Sequence, residues 1–335
     1  MALDKLVVGH SPHIKSDESI RRIMWTVVLA LTPAGVFGII IFGWYALVMM
    51  LGSMAVCIAT EWIILKLTGR DAGQAFDGSA AITGMLFAMV CGPLVHWYVW
   101  VVGSIVAIAV FKHAFGGLGC NIWNPALMAR AFTLAAWGKD LTQGFVYPDG
   151  TAGATPLGVV KLAKEGVPID TEYLGLNELF WGKTAGCIGE TSAALLLLGG
   201  IFLIVLKYVD WRMPLSFILT CVVLVWILPY KNKAAQDIAS GWVWWKEPLF
   251  AAFSGGLFLG AFFMATDMVT TPVTKTGQVI FGVGCGILTA IIRLYGGYPE
   301  GVCYSIIIMN TATPLIDRFT RPRKFGAKEY ARTTS

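Results

Sequence analysis

The sequence predicts an all-α, polytopic membrane protein with about ten transmembrane helices in two inverted five-helix repeats. Composition is the first observation behind this. The 335 residues are 56% hydrophobic, mean hydropathy is +0.69, and only 13% are charged. A soluble domain carries roughly 25% charged residues, and so few could not cover its surface with polar groups. The second observation is that the apolar residues fall into ten runs. The third is that two of these runs, in opposite halves of the chain, carry similar strings. Soluble, disordered and fibrous classes are excluded. The net charge of +5 would suit nucleic acid in a soluble protein. In a membrane chain it reflects the positive-inside bias, and no nucleic-acid partner is expected.

The predicted helices lie at 24–43, 45–66, 79–92, 95–112, 124–137, 184–206, 213–229, 248–265, 278–294 and 302–316. They divide the chain into a polar N-terminal segment (1–23), a first repeat (24–137), a hydrophilic loop (138–183), a second repeat (184–316) and a basic tail (317–335). A perpendicular span needs about 20 residues. The third and fifth runs are the shortest and read as broken or re-entrant, which is tolerated only where protein or a cavity satisfies the backbone. No small-residue cleavage site follows the first run, so it reads as an uncleaved helix. With the N-terminus inside, the inner loops and tail collect twice as many lysines and arginines as the outer loops. That bias places both termini on the cytoplasmic side. In this count Lys112 belongs to an inner loop and Arg293 to an outer one. Trp25, Trp44, Trp62, Trp97, Trp123, Trp137, Trp211 and Trp245 fall near helix ends, as interface anchors do. The seven cysteines show no CxxC spacing and read as small buried hydrophobes.

The repeat rests on residues 80–87, Ala-Ala-Ile-Thr-Gly-Met-Leu-Phe, and 251–258, Ala-Ala-Phe-Ser-Gly-Gly-Leu-Phe. Each half then carries a cationic helix end followed by two glycines: Lys112 with Gly116-Gly117, and Arg293 with Gly296-Gly297. The halves end in Asn124-Pro125-Ala126-Leu127 and in Asn310-Thr311-Ala312-Thr313-Pro314-Leu315. Five spans per copy invert the second copy in the membrane, the plan of many transport proteins.

The hydrophilic loop contains Asp149-Gly150-Thr151-Ala152-Gly153-Ala154-Thr155-Pro156-Leu157. By residue type this is a turn: Asp and Gly punctuate it, and Pro156 biases Thr155 toward an extended backbone. Gly153 and Ala154 offer little steric cover, so the Thr155 hydroxyl is expected to stand exposed. A plain surface turn and a site of enzymatic modification both fit those residues.

The run Asp-x-x-Ser/Thr-Gly-Ala-Thr resembles the flavinylation motif of proteins that carry FMN in phosphoester linkage to the final threonine, with Ala152 here where the motif has Ser or Thr. Together with the ten runs, the stretches Asp77-Gly78-Ser79-Ala80-Ala81-Ile82-Thr83-Gly84 and Gly119-Cys120-Asn121-Ile122-Trp123-Asn124-Pro125-Ala126 resemble one family over nearly the whole chain. It unites the integral-membrane D subunits of Rnf ion-translocating electron-transport complexes with the B subunits of sodium-pumping NADH:quinone oxidoreductases. The short chain, without a long N-terminal extension, favours the Rnf branch. The resemblance implies a membrane flavoprotein subunit of a ferredoxin:NAD oxidoreductase that couples electron flow to Na⁺ or H⁺ transport. It implies covalent FMN at Thr155, with Asp149, Gly153 and Ala154 completing the motif, and a non-covalent riboflavin in or near the subunit. The implied partners are the other complex subunits, a flavin transferase and the lipid bilayer, in the inner membrane of a bacterial or archaeal cell. The alternative is a secondary transporter with a five-plus-five repeat and no redox cofactor, which leaves residues 149–157 an idle turn.

Intramembrane charges are the remaining candidates, because an ionisable group in lipid is costly. Glu61 reads either as an ion-path carboxylate or as a member of a buried pair or a group snorkelling to an interface near Lys66. Glu190, about two turns into its predicted helix from Lys183, is the better ion-path candidate. Arg130 reads as compensating a helix end or a carboxylate. Asp77 and Asp267 read as caps or ion-entry groups. Asn124-Pro125-Ala126 matches a short water-channel signature, but Asn at N-cap followed by Pro at N1 is ordinary capping. His10, His13, His96 and His113 show no metal-ligand spacing, and no Walker or Rossmann glycine pattern occurs.

Overall fold

A computed structural model describes residues 18–143, 145–147, 149–151, 153–164, 175–228, 246–297 and 300–321. His10, His13, Ala152, Trp245 and the tail beyond residue 321 lie outside the described residues. Every regular element among the described residues is helical.

Helix α1 (Ile20–Phe42) starts where the Ser19 hydroxyl accepts the Arg22 N–H at 3.2 Å. Gly43, at φ +81°, separates it from α2 (Trp44–Leu67). Helix α3 (Ser79–Met89) begins at Asp77, whose Oδ1 accepts from the Ser79 N–H at 2.7 Å and its hydroxyl at 2.6 Å. At about 1.5 Å per residue its 11 residues cover roughly half the bilayer core. All but Ile82 are buried, among α1, α2, α4 and α5, so protein encloses this short helix. Helix α4 (Trp97–Ile108) passes into a π turn (Ala109–His113). Helix α5 (Pro125–Ala136) is capped by Asn124, whose side-chain oxygen accepts from the N–H groups of Ala126 and Leu127 at 3.0 and 3.4 Å. The capping reading of Asn-Pro-Ala is the one the structure shows.

Three short helices follow: α6 (Gly138–Gln143), α7 (Pro156–Lys164) and α8 (Leu176–Trp181). The second half holds α9 (Ala193–Val205), α10 (Arg212–Ile227), α11 (Lys246–Phe253), α12 (Leu257–Leu259) with a π turn (Gly260–Met264), α13 (Lys275–Tyr295) and α14 (Val302–Thr320). Two expectations change. The predicted helix 184–206 is regular only from Ala193, because Ile188–Glu190 forms a 3₁₀ turn. The break falls in the predicted helix 248–265, at Ser254–Gly256, while the third and fifth runs each form one continuous helix. Gly255, at φ +66°, makes that break.

Helices α10 and α13 pack closely. Gly282 and Gly286 of α13 lie one turn apart, and a β-carbon on them would sit 2.0 Å from the Ser216 hydroxyl and 2.6 Å from Thr220 Cβ. This is small-residue packing of membrane-helix type. The outward faces are apolar: Leu29, Ile40, Leu198 and Ile227 are each about 60–73% exposed. In water such a surface would aggregate, and in lipid it is ordinary. Helices α1, α2 and α13 are long and apolar enough to cross a membrane. Of the seven cysteines, six are buried and Cys120 is exposed, contrary to its expected burial.

Candidate functional site

Two cavities mark opposite ends of the bundle. One gathers the start of α1, Ser79, Lys112, Asn121, Tyr208 and Asp267. The other, about 200 Å³, gathers Arg130, Thr142, Thr155, Glu300, Cys303 and Tyr304. The first is called the tail end and the second, beside residues 145–155, the loop end.

At the loop end the chain folds back between Phe145 and Gly153. The Tyr147 N–H donates to Thr151 O at 2.8 Å, and the Gly153 N–H donates to Phe145 O at 3.1 Å. Asp149 Oδ1 accepts from the Thr151 N–H at 3.0 Å and its hydroxyl at 2.7 Å. Gly150, at φ +85°, completes the reversal. A β-carbon on Gly153 would lie 2.0 Å from the Tyr147 ring, so only glycine lets that ring close over the turn. Asp149 and Gly153 therefore shape the loop. Partly buried Ala154 packs against a small apolar cluster of Leu157, Val159, Leu179 and Phe250.

Thr155 is 3% exposed, which corrects the expectation of a bare surface hydroxyl. The packing of Leu157 and Val159 draws α7 on to the protein and carries Thr155 with it. Thr155 Oγ1 accepts the Gly158 N–H at 3.1 Å and caps α7, while the oxygen borders the loop-end cavity. A β-carbon on Gly158 would sit 3.1 Å from that oxygen, so glycine keeps it accessible. An ester at Oγ1 removes only the hydroxyl proton, and the oxygen keeps the lone pair that caps the helix. Phosphate there would lie at a helix N-terminus, where N–H groups and the helix dipole favour an anion.

Arg130, from α5, forms an ion pair with Glu300 in the cavity wall, their side chains 14% and 10% exposed. Its Nη2 also approaches Cys187 Sγ at 3.7 Å. Glu190 sits in the 3₁₀ turn, outside the helix predicted for it, and its Oε2 accepts the Cys187 N–H at 3.5 Å.

At the tail end Glu61 is 3% exposed and pairs with Lys112 Nζ at 2.7 Å and His113 Nε2 at 3.2 Å. Lys112 donates onward to the Ser79 hydroxyl at 2.7 Å, and that hydroxyl donates to Asp77. The snorkelling reading beside Lys66 is replaced by this buried network. Lys112 and Arg293 are themselves buried, 2% and 5% exposed, so neither is a loop cation. Removing one from each side leaves the two-to-one bias in place. Arg293 donates to the carbonyls of Ala251 and Ser254 at 2.7 and 3.1 Å. Asp267 Oδ2 accepts from the Thr270 hydroxyl at 3.2 Å, bracing a turn on the cavity wall. Sequence reasoning passed over Lys112, His113, Cys187 and Glu300 as site residues. Only the repeat pairing of Lys112 with Arg293 hinted that either was structural.

The NQR2, RnfD, RnfE family model matches residues 7–326. The chain belongs to this family. It is 44% identical over 328 residues to the D subunit of the proton-translocating ferredoxin:NAD(+) oxidoreductase complex of Clostridium ljungdahlii, covering 96% of each chain. It is 42% identical over 325 residues to the D subunit of the Na(+)-translocating ferredoxin:NAD(+) oxidoreductase complex of Acetobacterium woodii, covering 96% of this chain and 95% of the relative. Identity to the D subunit of the ion-translocating oxidoreductase complex of Stutzerimonas stutzeri is 36% over 336 residues, covering 92% of each. Family membership agrees with the apolar, outward-facing helices: this is a membrane protein.

Proposed function

We propose that this chain is the D-type subunit of an Rnf-type ion-translocating ferredoxin:NAD oxidoreductase complex and carries FMN as a phosphoester on Thr155. The single observation behind the flavin is the Thr155 hydroxyl, which caps α7 and borders a cavity walled by Arg130 and Tyr304. The residues fit the group. Gly158 leaves room at the oxygen, the α7 N-terminus suits a phosphate, and Arg130 supplies a positive charge in the wall. When bound, flavin supplies one- and two-electron redox chemistry. The chain's own groups fix its attachment point, keep its phosphate at a helix N-terminus and hold Arg130 in place through Glu300.

In this reading the loop end is extracytoplasmic, both termini are cytoplasmic, and ten spans form two inverted five-helix repeats in the cell (inner) membrane. Tertiary contacts support the repeat: Lys112 reaches back to Ser79, and Arg293 reaches back to Ala251 and Ser254, beside the two similar strings. The non-covalent riboflavin belongs in the tail-end cavity, whose walls combine Val27, Leu86 and Phe263 with the amides of Asn121 and Asn124. Glu61, with its lysine and histidine partners, and Glu190 remain the ion-path carboxylates. Two relatives of nearly equal identity are named for different ions, protons and Na⁺. Partners are the other subunits of the complex and the enzyme that transfers the flavin.

The test is a denaturing gel of the chain from its native membrane, viewed for flavin fluorescence. A fluorescent band that disappears in Thr155→Ala supports the proposal. A dark wild-type band, or peptide mapping of residues 140–161 that finds Thr155 bare, overturns it in favour of a carrier without a redox cofactor.

A further inference from the structure

At the wall of the Thr155 cavity lies a set of groups of which the flavin reading uses only Glu300. Cys187 Sγ, a carboxylate oxygen of Glu190 and one of Glu300 lie within 4.8 Å of one another. The 3₁₀ turn brings the first two, and the segment ahead of α14 brings the third. Arg130 pairs with Glu300. The other guanidinium nearby, Arg293, directs Nη1 and Nη2 to the carbonyls of Ala251 and Ser254. Glu190 makes no ion pair among the described residues. Its Oε2 accepts one long hydrogen bond, and its buried Oε1 accepts none. A carboxylate out of water needs several donors to stay ionised. Arg130 is taken by Glu300, so a full charge on Glu190 beside it would be repelled.

A second, independent set of atoms points the same way. Ser254 Oγ and Arg293 Nε are buried, and neither has a hydrogen-bond partner among the described residues. Both belong to the surroundings of the break between α11 and α12. A β-carbon on Gly256 would sit 3.2 Å from Glu190 Oε1. One on Gly255 would sit 3.3 Å from Arg293 Nη2 and 3.8 Å from Glu300 Cγ. The break therefore joins Glu190, Glu300 and Arg293 in one small polar space, where unpaired polar atoms recruit internal water. Among the described residues the other titratable groups around it are the thiols of Cys187, Cys303 from α14 and Cys91 beyond α3, with Tyr304 on the cavity side.

We propose that Glu190 and Glu300 hold one exchangeable proton between them, forming a proton-storing site against the wall of the Thr155 cavity. Its use, though not its existence, rests on the flavin reading. Where the pair has lost its proton, negative charge arriving in the cavity draws one back from loop-end hydronium on to a carboxylate oxygen of the pair. An O–H bond forms there, one breaks on hydronium, and no electron moves in this step. Arg130 touches both sides, through Glu300 and through the cavity, and transmits the charge.

Infrared difference spectroscopy of the purified complex tests this. Wild type should show a protonated-carboxyl C=O band that shifts in D₂O and fades as pH rises. Glu190→Gln should lose that band, and Glu190→Asp should displace it. Glu190→Asp keeps the charge and so serves if the amide variant does not assemble. An assembled Glu190→Gln complex with the wild-type band unchanged, or a Glu190→Asp band at the wild-type position, overturns the proposal. In Thr155→Ala the resting band should persist while its response to reduction is lost. A wild-type chain without flavin fluorescence would defeat the flavin reading alone, because the resting band is read without any cofactor.

Discussion

Glu61 and Lys112 lie 51 residues apart in sequence and 2.7 Å apart in the fold, each almost fully buried. Removing one member of such a pair strands a buried charge and costs about 3–5 kcal/mol, whereas removing both is much milder. Thermal unfolding of the purified protein in detergent should therefore show a large loss for Lys112→Met and recovery of most of it in Lys112→Met with Glu61→Gln. Equal losses in the single and double variants would mean the pair is not coupled. Gly153 poses a steric question of a different kind. In Gly153→Ala the added carbon meets the Tyr147 ring, and the turn opens. Flavin fluorescence on the denaturing gel should fall well below wild type while the protein level holds, since the turn is peripheral to the helical core. Undiminished fluorescence would separate the turn from flavin attachment.

At the scale of elements, the two similar strings behave differently. Residues 80–87 lie wholly inside α3, whereas 251–258 cross the break between α11 and α12. The turning residue, Gly255 at φ +66°, is matched in the first copy by Gly84, which is helical; the second copy adds Gly256, at φ −76°, where the first has Met85. The π turn at the end of α4 is another local device. Its wider winding brings consecutive Lys112 and His113 on to the same carboxylate of α2. Helix α13 depends on close approach to α10. Gly286→Ala places a carbon 2.9 Å from the Phe217 carbonyl oxygen, which backbone cannot yield easily. Overpacking of this kind costs about 1–3 kcal/mol. The variant should unfold at lower temperature than wild type, while an exposed change on the same helix, Val279→Ala, should not.

For the whole molecule, the proposed orientation can be read from one native residue. Cys120 is the exposed cysteine among seven, and it lies at the tail end. An impermeant thiol reagent should leave wild type unlabelled in right-side-out vesicles and label it after lysis. Lys139→Cys, at an exposed position on the loop end, should label without lysis. Lys139 is a better probe than Gly150, whose φ of +85° disfavours any side chain. The reverse labelling pattern would invert the topology and move Thr155 to the cytoplasmic face.

Composition and apolar runs by themselves determined that this is a helical membrane protein, because burial in lipid demands long apolar stretches whatever the packing. Local chemistry was equally legible in the Asn124 cap and in the Asp149–Gly153 turn, where neighbours in sequence satisfy one another. Tertiary structure alone decided which charges meet. Lys112 looked like a loop cation because its partner is far away in sequence, and Glu300 went unnoticed because Arg130 lies in the other half. It also decided that Thr155 is buried, because α7 docks its apolar face on residues beyond position 175. The pairing of distant ionisable groups follows from the energy of enclosing charge, and that energy exists only once the helices have come together.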